Sequence, residues 1–335
     1  MAHAYRAVQW NRYKRLYDAV LAGGCVAYHV LFVGIGAATH PRATIETLVI
    51  RATATLAFLL LTVVLSIGPL CRLDPRLLPL LYNRRHLGVV TFLVAATHGV
   101  FSIVQFHALG DTHPLVSVLT ANTEFASVSQ FPFQPLGLLA LLVLALMALT
   151  SHDFWLATLG PTTWKSLHML VYAAWGLVVV HVALGVLQAE RHPAFPVLVG
   201  AGVLWVGGIH AAAGLRERRG DRERPAAREG AWVEVCSADA IADGRAHVAS
   251  VGDERVAVFR RGERLFALSN VCPHQGGPLG EGRIVDGCVT CPWHGHQFDP
   301  ETGAAPPPYE DRATTIPLAV RDGTVWIAPD AERTS

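Results

Sequence analysis

The stretch "CPHQGGPLGEGRIVDGCVTCPWHGH", residues 272–296, places two short ligand-bearing loops close together in the last third of the chain. Each loop supplies one cysteine and one histidine: Cys272 and His274 in the first, Cys291 and His294 in the second. The prolines and glycines around them are typical of tight loops whose backbone N–H groups face a sulfur or another anion. The pattern therefore predicts a Cys2His2 metal site held by two loops.

Two kinds of metal centre fit these four residues. A structural zinc ion accepts two thiolates and two imidazoles in a tetrahedral shell. Zinc fingers usually pair cysteine with cysteine and histidine with histidine, whereas each loop here contributes one of each. That arrangement favours a [2Fe–2S] cluster in which one iron is bound by two thiolates and the other by two imidazoles, with zinc as the alternative.

The sequence around the loops predicts a small all-β domain. From Trp232 onward the chain contains short β-type runs separated by glycine-containing turns, among them "RVAVFRR", "RLFALSN" and "GTVWIAP". The preceding segment 215–230, "LRERRGDRERPAAREG", is highly charged and contains proline and glycine, as linkers do. We therefore expect a linker at 215–230 and a β domain at 231–335.

The N-terminal two thirds of the chain are apolar enough for a membrane. The 335 residues are 52% hydrophobic and 16% charged, and the net charge of +1 does not indicate nucleic-acid binding. A membrane helix needs about 20 apolar residues. Six stretches within 1–214 fit, the fourth being short: Leu16–Ala38, Arg51–Leu70, Leu87–Ala108, Leu136–Thr150, Leu167–Leu187 and Phe195–Gly214.

Basic residues predict the orientation of these spans. They concentrate before the first span, after the second, after the fourth and after the sixth, whereas the opposite loops carry only Arg42 and Arg191. The positive-inside rule then places both termini in the cytoplasm of a multi-pass inner or plasma membrane protein. The alternative, a cleaved signal peptide in place of the first span, would leave five spans and put the basic loop after Leu70 on the wrong side.

Three of the histidines within the predicted spans are candidate iron ligands. His98 is in the third span, and His168 and His181 are in the fifth. Both spans run outward, and at ~1.5 Å per residue His98 lies roughly 20 Å beyond Arg85 and His181 roughly 24 Å beyond Lys165. Ionisable residues inside a membrane are costly and often functional. We therefore expect His98 and His181 to meet at one level and hold an iron between them.

The two ligand loops, in the form "CPHQGGPL…CPWHGHQFDPETG", resemble the Rieske family over about the last hundred residues. Respiratory Rieske proteins have an additional cysteine in each loop, and the corresponding positions here are Gly277 and Trp293. The resemblance therefore implies a ferredoxin-type Rieske [2Fe–2S] domain in a reducing compartment, which agrees with a cytoplasmic location. We expect the remaining cysteines of this domain, Cys236 and Cys288, to be buried thiols.

The membrane segments resemble the ferric-reductase-like transmembrane family, especially the haem-binding subunit of bacterial methionine sulfoxide reductase. The likeness covers roughly residues 45–190 and includes "YNRRHLGVVTFLVAATHGV" and "TTWKSLHMLVYAAWGLVVVHVALGV". It implies b-type haem bound by His98 and His181, with His168 on a second, inner haem. Two-haem relatives have a histidine where this chain has Arg84. The second ligand of an inner haem is therefore open: it is Arg84, His86, water or no group.

The sequence as a whole predicts a six-helix haem-binding bundle followed by a Rieske domain. We expect electrons to pass from a cytoplasmic donor, a ferredoxin or flavin reductase, through cluster and haem to a membrane quinone or periplasmic redox protein. The sequence shows no evident flavin or nicotinamide domain, so we expect substrate chemistry to occur elsewhere. We expect the chain to be an oxidoreductase or the electron-transfer component of a transmembrane reductase. A quinone-linked carrier subunit and a Rieske-based redox sensor are the alternatives. The other histidines, including His29, His210 and His296, are interpreted as polar contacts or surface groups.

Overall fold

The computed structural model describes residues 12–152, 155, 158–159, 161–189, 192–222, 232–251, 254–274, 276–292, 295–307 and 309–328. The chain divides into two compact units. One consists of Asn11–Pro69 and Asn83–Ala211, and the other contains Leu70–Tyr82 and the chain from Ala212 onward.

The first two thirds of the described chain are helical, as the hydropathy predicts. The helices are α1 (Arg12–Thr39), α2 (Ile45–Leu73), α3 (Arg84–His107), α4 (Pro114–Thr120), α5 (Gln134–Leu149), α6 (Pro161–His168), α7 (Val171–Leu184), α8 (Val186–Ala189) and α9 (Ala194–Arg222), with a 3₁₀ segment at Pro75–Asn83. Five helical segments among the described residues are long and apolar enough to cross a membrane: Lys14–Thr39, Ile45–Leu73, Arg84–His107, Thr163–Gln188 and Ala194–Arg219. The predicted multi-pass helical region is confirmed.

Helix α5 has 16 residues, so the fourth span is short, as predicted. The structure differs from the predicted segments in two places. The fifth span is interrupted between α6 and α7, where the N–H of Leu170 bonds to the carbonyl of Leu167 in a tighter, 3₁₀-type turn. Helix α9 continues to Arg222, so the segment interpreted as a linker begins as helix, and residues 223–231 lie outside the described residues.

Helix α5 packs against both α3 and α7, and small residues permit the close approach. A Cβ atom on Gly99 of α3 would lie 2.8 Å from Leu141 of α5, and one on Gly137 of α5 would lie 2.6 Å from His181 of α7. Both distances are shorter than an ordinary van der Waals contact. Glycine at these two positions therefore lets α5 lie directly against the helices that carry His98 and His181.

The last third of the described chain is all-β, as predicted. Its strands are β1 (Val233–Ser237), β2 (Ala246–Val251), β3 (Glu254–Arg261), β4 (Arg264–Ser269), β5 (Arg283–Val285), β6 (Cys288–Thr290), β7 (Gln297–Phe298), β8 (Thr315–Ile316), β9 (Leu318–Arg321) and β10 (Thr324–Ile327). They form three antiparallel sheets with the orders β1-β10-β9, β2-β3-β4-β8 and β5-β6-β7.

The sheets hold the two ligand loops at their ends. The first loop follows β4, and the second connects β6 to β7, whose residues Val289 and Phe298 pair directly. Beneath the loops lies a buried cluster that includes Phe259, Leu268, Val289 and Phe298, all fully shielded from solvent. Burial of these apolar side chains stabilises the base of the loops, so the fold fixes where each loop begins and ends.

Candidate metal centres

The two ligand loops, Cys272–Gly277 and Cys291–His296, have the same backbone hydrogen bonds. In each, the cysteine N–H donates to the carbonyl of the sixth residue at 2.8 Å. The fifth residue, Gly276 or Gly295, donates its N–H back to the cysteine carbonyl at 2.6 and 2.9 Å respectively. Both glycines have positive φ, 67° and 72°, which a residue with a side chain rarely adopts. The loops are therefore structural repeats that present their cysteines in the same way.

The predicted ligands in these loops are directed into the protein. Cys272 and Cys291 are each 1% exposed, belong to one buried cluster and form no disulfide. The Nδ1 atom of His274 is buried as well. His294, the fourth predicted ligand, lies outside the described residues. Among the residues that are described, no three His, Cys, Asp or Glu side chains are drawn together as a metal-binding group.

His296, which the sequence left as a polar contact, lies against the site. Its ring is 1% exposed and stacks on the ring of His274, with 4.4 Å between centroids and 4° between planes. Its Nε2 lies 3.1 Å from Oδ2 of Asp311, so the polar contact is present. Burial, and next the neighbouring His274, lower the pKa of His296 to about 4 despite the opposing effect of Asp311. The ring is therefore neutral at pH 7.

These residues fit a [2Fe–2S] cluster. Two buried thiols supply the ligands that one iron of a Rieske cluster takes, and the inward Nδ1 of His274 supplies one of the two imidazoles that the other iron takes. The glycines in the turns leave room for backbone N–H groups to approach sulfur.

Cys236 and Cys288 are half-buried, less buried than predicted, and neither is in a disulfide. Burial raises the pKa of both thiols, and at Cys288 Asp299 raises it further. Both side chains are therefore protonated at neutral pH, and a thiol in that state is a poor nucleophile and a poor metal ligand.

In the helical unit, His98 and His181 each bond to a backbone carbonyl of another segment. The Nδ1 of His98 bonds to the carbonyl of Ile50 in α2 at 3.2 Å, and the Nδ1 of His181 bonds to the carbonyl of Phe133 at 2.9 Å. In contrast, His29 and His210 bond to the carbonyls four residues earlier in their own helices. A carbonyl only accepts, so each Nδ1 carries the proton and each Nε2 keeps a lone pair.

Phe133 and Gly137 hold His181 in place, and the sequence did not single out either. The carbonyl of Phe133 accepts the Nδ1–H of His181, and the Phe133 ring lies 5.4 Å from the imidazole. A Cβ atom on Gly185 would lie 2.7 Å from that ring, so Phe133 fits into the gap at the end of α7. The imidazole lies directly on the backbone of α5 at Gly137. The N-terminus of α5 therefore sets the orientation of His181.

The residues predicted around an inner haem have other contacts. The ring of His168, the last residue of α6, stacks on Trp164 with 3.7 Å between centroids, and its Nδ1 bonds to the Trp164 carbonyl. The Nε2 of His168 is buried, without a hydrogen-bond partner among the described residues. Arg84 lies close enough to His168 for their charges to interact. His86 bonds instead through Nδ1 to Asp18 of α1 at 2.7 Å.

Comparison with known protein families agrees with both predicted domains. Residues 51–179 match the ferric reductase like transmembrane component, and residues 231–317 match the Rieske [2Fe-2S] domain. The fold and these matches define a multi-pass membrane electron-transfer protein. The chain belongs to the Rieske family through its C-terminal domain, which is joined in one chain to a ferric-reductase-like transmembrane domain.

Two relatives of the Rieske domain are ferredoxin components that match over most of their length. The chain is 34% identical over 97 residues to the anthranilate 1,2-dioxygenase ferredoxin subunit of Burkholderia cepacia, a match that covers 29% of this chain and 90% of the ferredoxin. It is also 34% identical over 100 residues to the ferredoxin component of the alkene monooxygenase system of Xanthobacter autotrophicus, covering 30% and 82%. Among solved structures, the ferredoxin of carbazole 1,9a-dioxygenase from Nocardioides aromaticivorans is 28% identical, with a TM-score of 0.28, covering 29% and 97%.

Proposed function

We propose that this protein moves single electrons between a cytoplasmic donor and an acceptor at the membrane or beyond it. A Rieske cluster is held by Cys272, His274, Cys291 and His294 in a cytoplasmic domain at 231–335. A b-type haem is held by His98 and His181 in a transmembrane domain at 1–214, and the segment 215–230 joins the two domains. Both termini lie in the cytoplasm.

The observation that carries this proposal is the pair of hydrogen bonds at His98 and His181. Metal-ligating histidines usually donate the other ring N–H to a carbonyl or carboxylate, which fixes the tautomer and the ring orientation. Here the carbonyls belong to other segments, near Ile50 and Phe133, so each ring is held across a helix interface. Haem bound between two such imidazoles supplies a one-electron Fe(III)/Fe(II) couple.

The Rieske domain supports one-electron work on the cytoplasmic side. Imidazole ligation raises the potential of the cluster above that of an all-cysteine plant-type cluster. Two relatives that match over most of their length are ferredoxin components, which indicates that a redox protein is the direct partner of this domain. A cytoplasmic ferredoxin or flavin reductase is the donor we infer, and a quinone or periplasmic redox protein the acceptor.

Contacts between helix ends fit spans that alternate in direction across the membrane. Asp18 near the start of α1 contacts His86 near the start of α3, so these two N-terminal ends lie on one side. In the second unit, Arg72 at the end of α2 pairs with Glu217 of α9 at 3.6 Å, so these two C-terminal ends also share a side. The basic residues near both sets of ends favour the cytoplasm for them.

The experiment that tests the proposal uses the full chain, purified in lipid nanodiscs under anaerobic conditions. Iron, acid-labile sulfide, zinc and haem are quantified, and haem reduction is followed after a reduced ferredoxin is added. We expect two cluster irons and two sulfides per chain, no stoichiometric zinc, and a low-spin haem spectrum. Zinc without sulfide would contradict the cluster.

Matched histidine variants test the haem ligands. His98→Ala and His181→Ala should each abolish the bis-imidazole spectrum, because the iron loses an axial ligand inside an apolar bundle. His210→Ala is the control, since His210 lies in α9 and bonds to Tyr172 and to its own helix. It should retain full haem. A normal bis-histidine spectrum in both His98→Ala and His181→Ala would leave the helices as an anchor for a Rieske domain.

A further inference from the structure

The two ligand loops are backbone repeats, but their sixth residues differ. That residue is Gly277 in the first loop and His296 in the second. Both accept the cysteine N–H through the backbone, so the hydrogen bonding of the loops does not require a side chain at this position. The imidazole of His296 is therefore an addition to the repeat, and it reaches from the second loop to a ligand of the first.

The contact that it makes is specific in geometry. The rings of His296 and His274 are parallel within 4° and their centroids are 4.4 Å apart. Parallel rings with centroids about 4.5 Å apart are typical of favourable aromatic stacking. His274 is partly exposed at the end of its loop, whereas His296 is 1% exposed. The buried ring of His296 therefore supports the partly exposed ring of His274.

His296 is itself held from three directions. The Tyr309 ring lies 4.8 Å from it at 70°, and the Phe298 ring lies 5.0 Å from it at 56°. Phe298 belongs to β7 and is fully buried, so it fixes the imidazole to the sheet. Asp311 Oδ2 lies 3.1 Å from Nε2, so its carboxylate faces this edge of the ring. These contacts leave His296 little freedom to turn.

We propose that His296 is a positioning residue for the cluster: its buried ring, anchored by Asp311, fixes the plane of the His274 imidazole across the two loops. This inference rests on the proposed function, because it requires that His274 binds the cluster. An outer residue that orients a metal-bound imidazole affects the bonding between that imidazole and the iron. The electronic structure of the reduced cluster then reports on the contact.

The test compares two substitutions of similar size in the full-length protein. His296→Phe retains an aromatic ring for stacking, and His296→Leu fills the space with an apolar side chain that cannot stack. Each variant is reduced anaerobically, and the g-values and linewidths of its cluster EPR signal are measured together with the potential and the ¹⁴N couplings of the bound imidazoles. Iron and sulfide contents are determined in parallel.

We expect His296→Phe to keep the wild-type g-values and His296→Leu to give broadened, shifted g-values and altered nitrogen couplings. If His296→Leu fails to load the cluster while His296→Phe loads it, the proposal is supported in a stronger form. Wild-type spectra in His296→Leu, or an equal loss in both variants, would overturn it. An unchanged signal in Asp311→Ala would overturn the role of Asp311 as the anchor. Absence of iron and sulfide from the wild-type protein would instead contradict the proposed function.

Discussion

Replacement of Gly137 by alanine should detach haem from a bundle that still folds. The new Cβ atom would lie 2.6 Å from Cε1 and 2.7 Å from Nδ1 of His181, whereas ordinary contact begins at 3.4 Å. The imidazole must therefore withdraw from α5 by about 0.8 Å, the difference between 3.4 and 2.6 Å. That withdrawal lengthens its 2.9 Å hydrogen bond to the Phe133 carbonyl beyond useful range.

The magnitudes decide what the substitution affects most. Overpacking destabilises the fold by roughly 1–3 kcal/mol, whereas alanine in place of glycine inside a helix stabilises it by about 1 kcal/mol. The free energy of unfolding therefore changes little. Loss of the hydrogen bond that orients a metal ligand typically lowers metal affinity by about 10–100-fold. We expect the haem affinity of Gly137→Ala to fall by that factor while the helix content stays at the wild-type level.

The assay measures haem per chain, the rate of haem loss to an excess of an apo-protein acceptor, and the low-spin EPR signal. Gly207→Ala is the matched control, because Gly207 lies on the exposed face of α9 with no atom within 4 Å of the new Cβ. It should keep wild-type haem. If Gly137→Ala also keeps wild-type haem content, loss rate and spectrum, the orientation of His181 by α5 does not matter for binding and the reasoning is wrong.

Three further predictions concern the cluster, the inner site and the topology. His274→Cys should retain a cluster whose potential falls by on the order of hundreds of millivolts, because a third thiolate stabilises the oxidised state; an unchanged potential would exclude His274 as a ligand. His168→Ala should leave the outer haem spectrum in place and slow haem reduction through the cluster, whereas normal reduction in both His168→Ala and His86→Ala would rule out an inner haem. A reporter fused after Ser335 should be active in the cytoplasm and one in the loop Asp111–Gln130 only outside, and the reverse pattern would invert the electron path.

The sequence predicts elements whose signal is local. Hydropathy over about 20 residues locates the membrane helices, and the pattern of cysteine, proline and glycine locates both ligand loops. Hydropathy does not reveal the turn at Met169–Leu170, because both residues are apolar and the interruption is a change in hydrogen bonding. The helical start of the predicted linker escapes it too, since charge alone does not end a helix with good propensity.

The positioning of the histidines was beyond sequence reasoning for a different reason. The residues that orient His98 and His181 are backbone carbonyls 48 positions away in each case. A carbonyl is present at every position, so no side chain marks Ile50 or Phe133 as special. His296 illustrates the same limit, because its sequence neighbourhood places it near a ligand without showing that its ring is buried and parallel to His274.

The two sites therefore depend on the fold at different length scales. In the Rieske domain, each cysteine is presented by hydrogen bonds within a six-residue loop, so local sequence carries most of the information for the site. In the helical bundle, His98 and His181 are each oriented by a segment from another part of the chain. The geometry of that site therefore depends on helix packing. Substitutions at helix interfaces such as Gly137 should consequently impair haem binding without loss of the iron–sulfur cluster. Changes at Gly276 or Gly295 should have the opposite effect, because a side chain at positive φ strains only the loop that contains it.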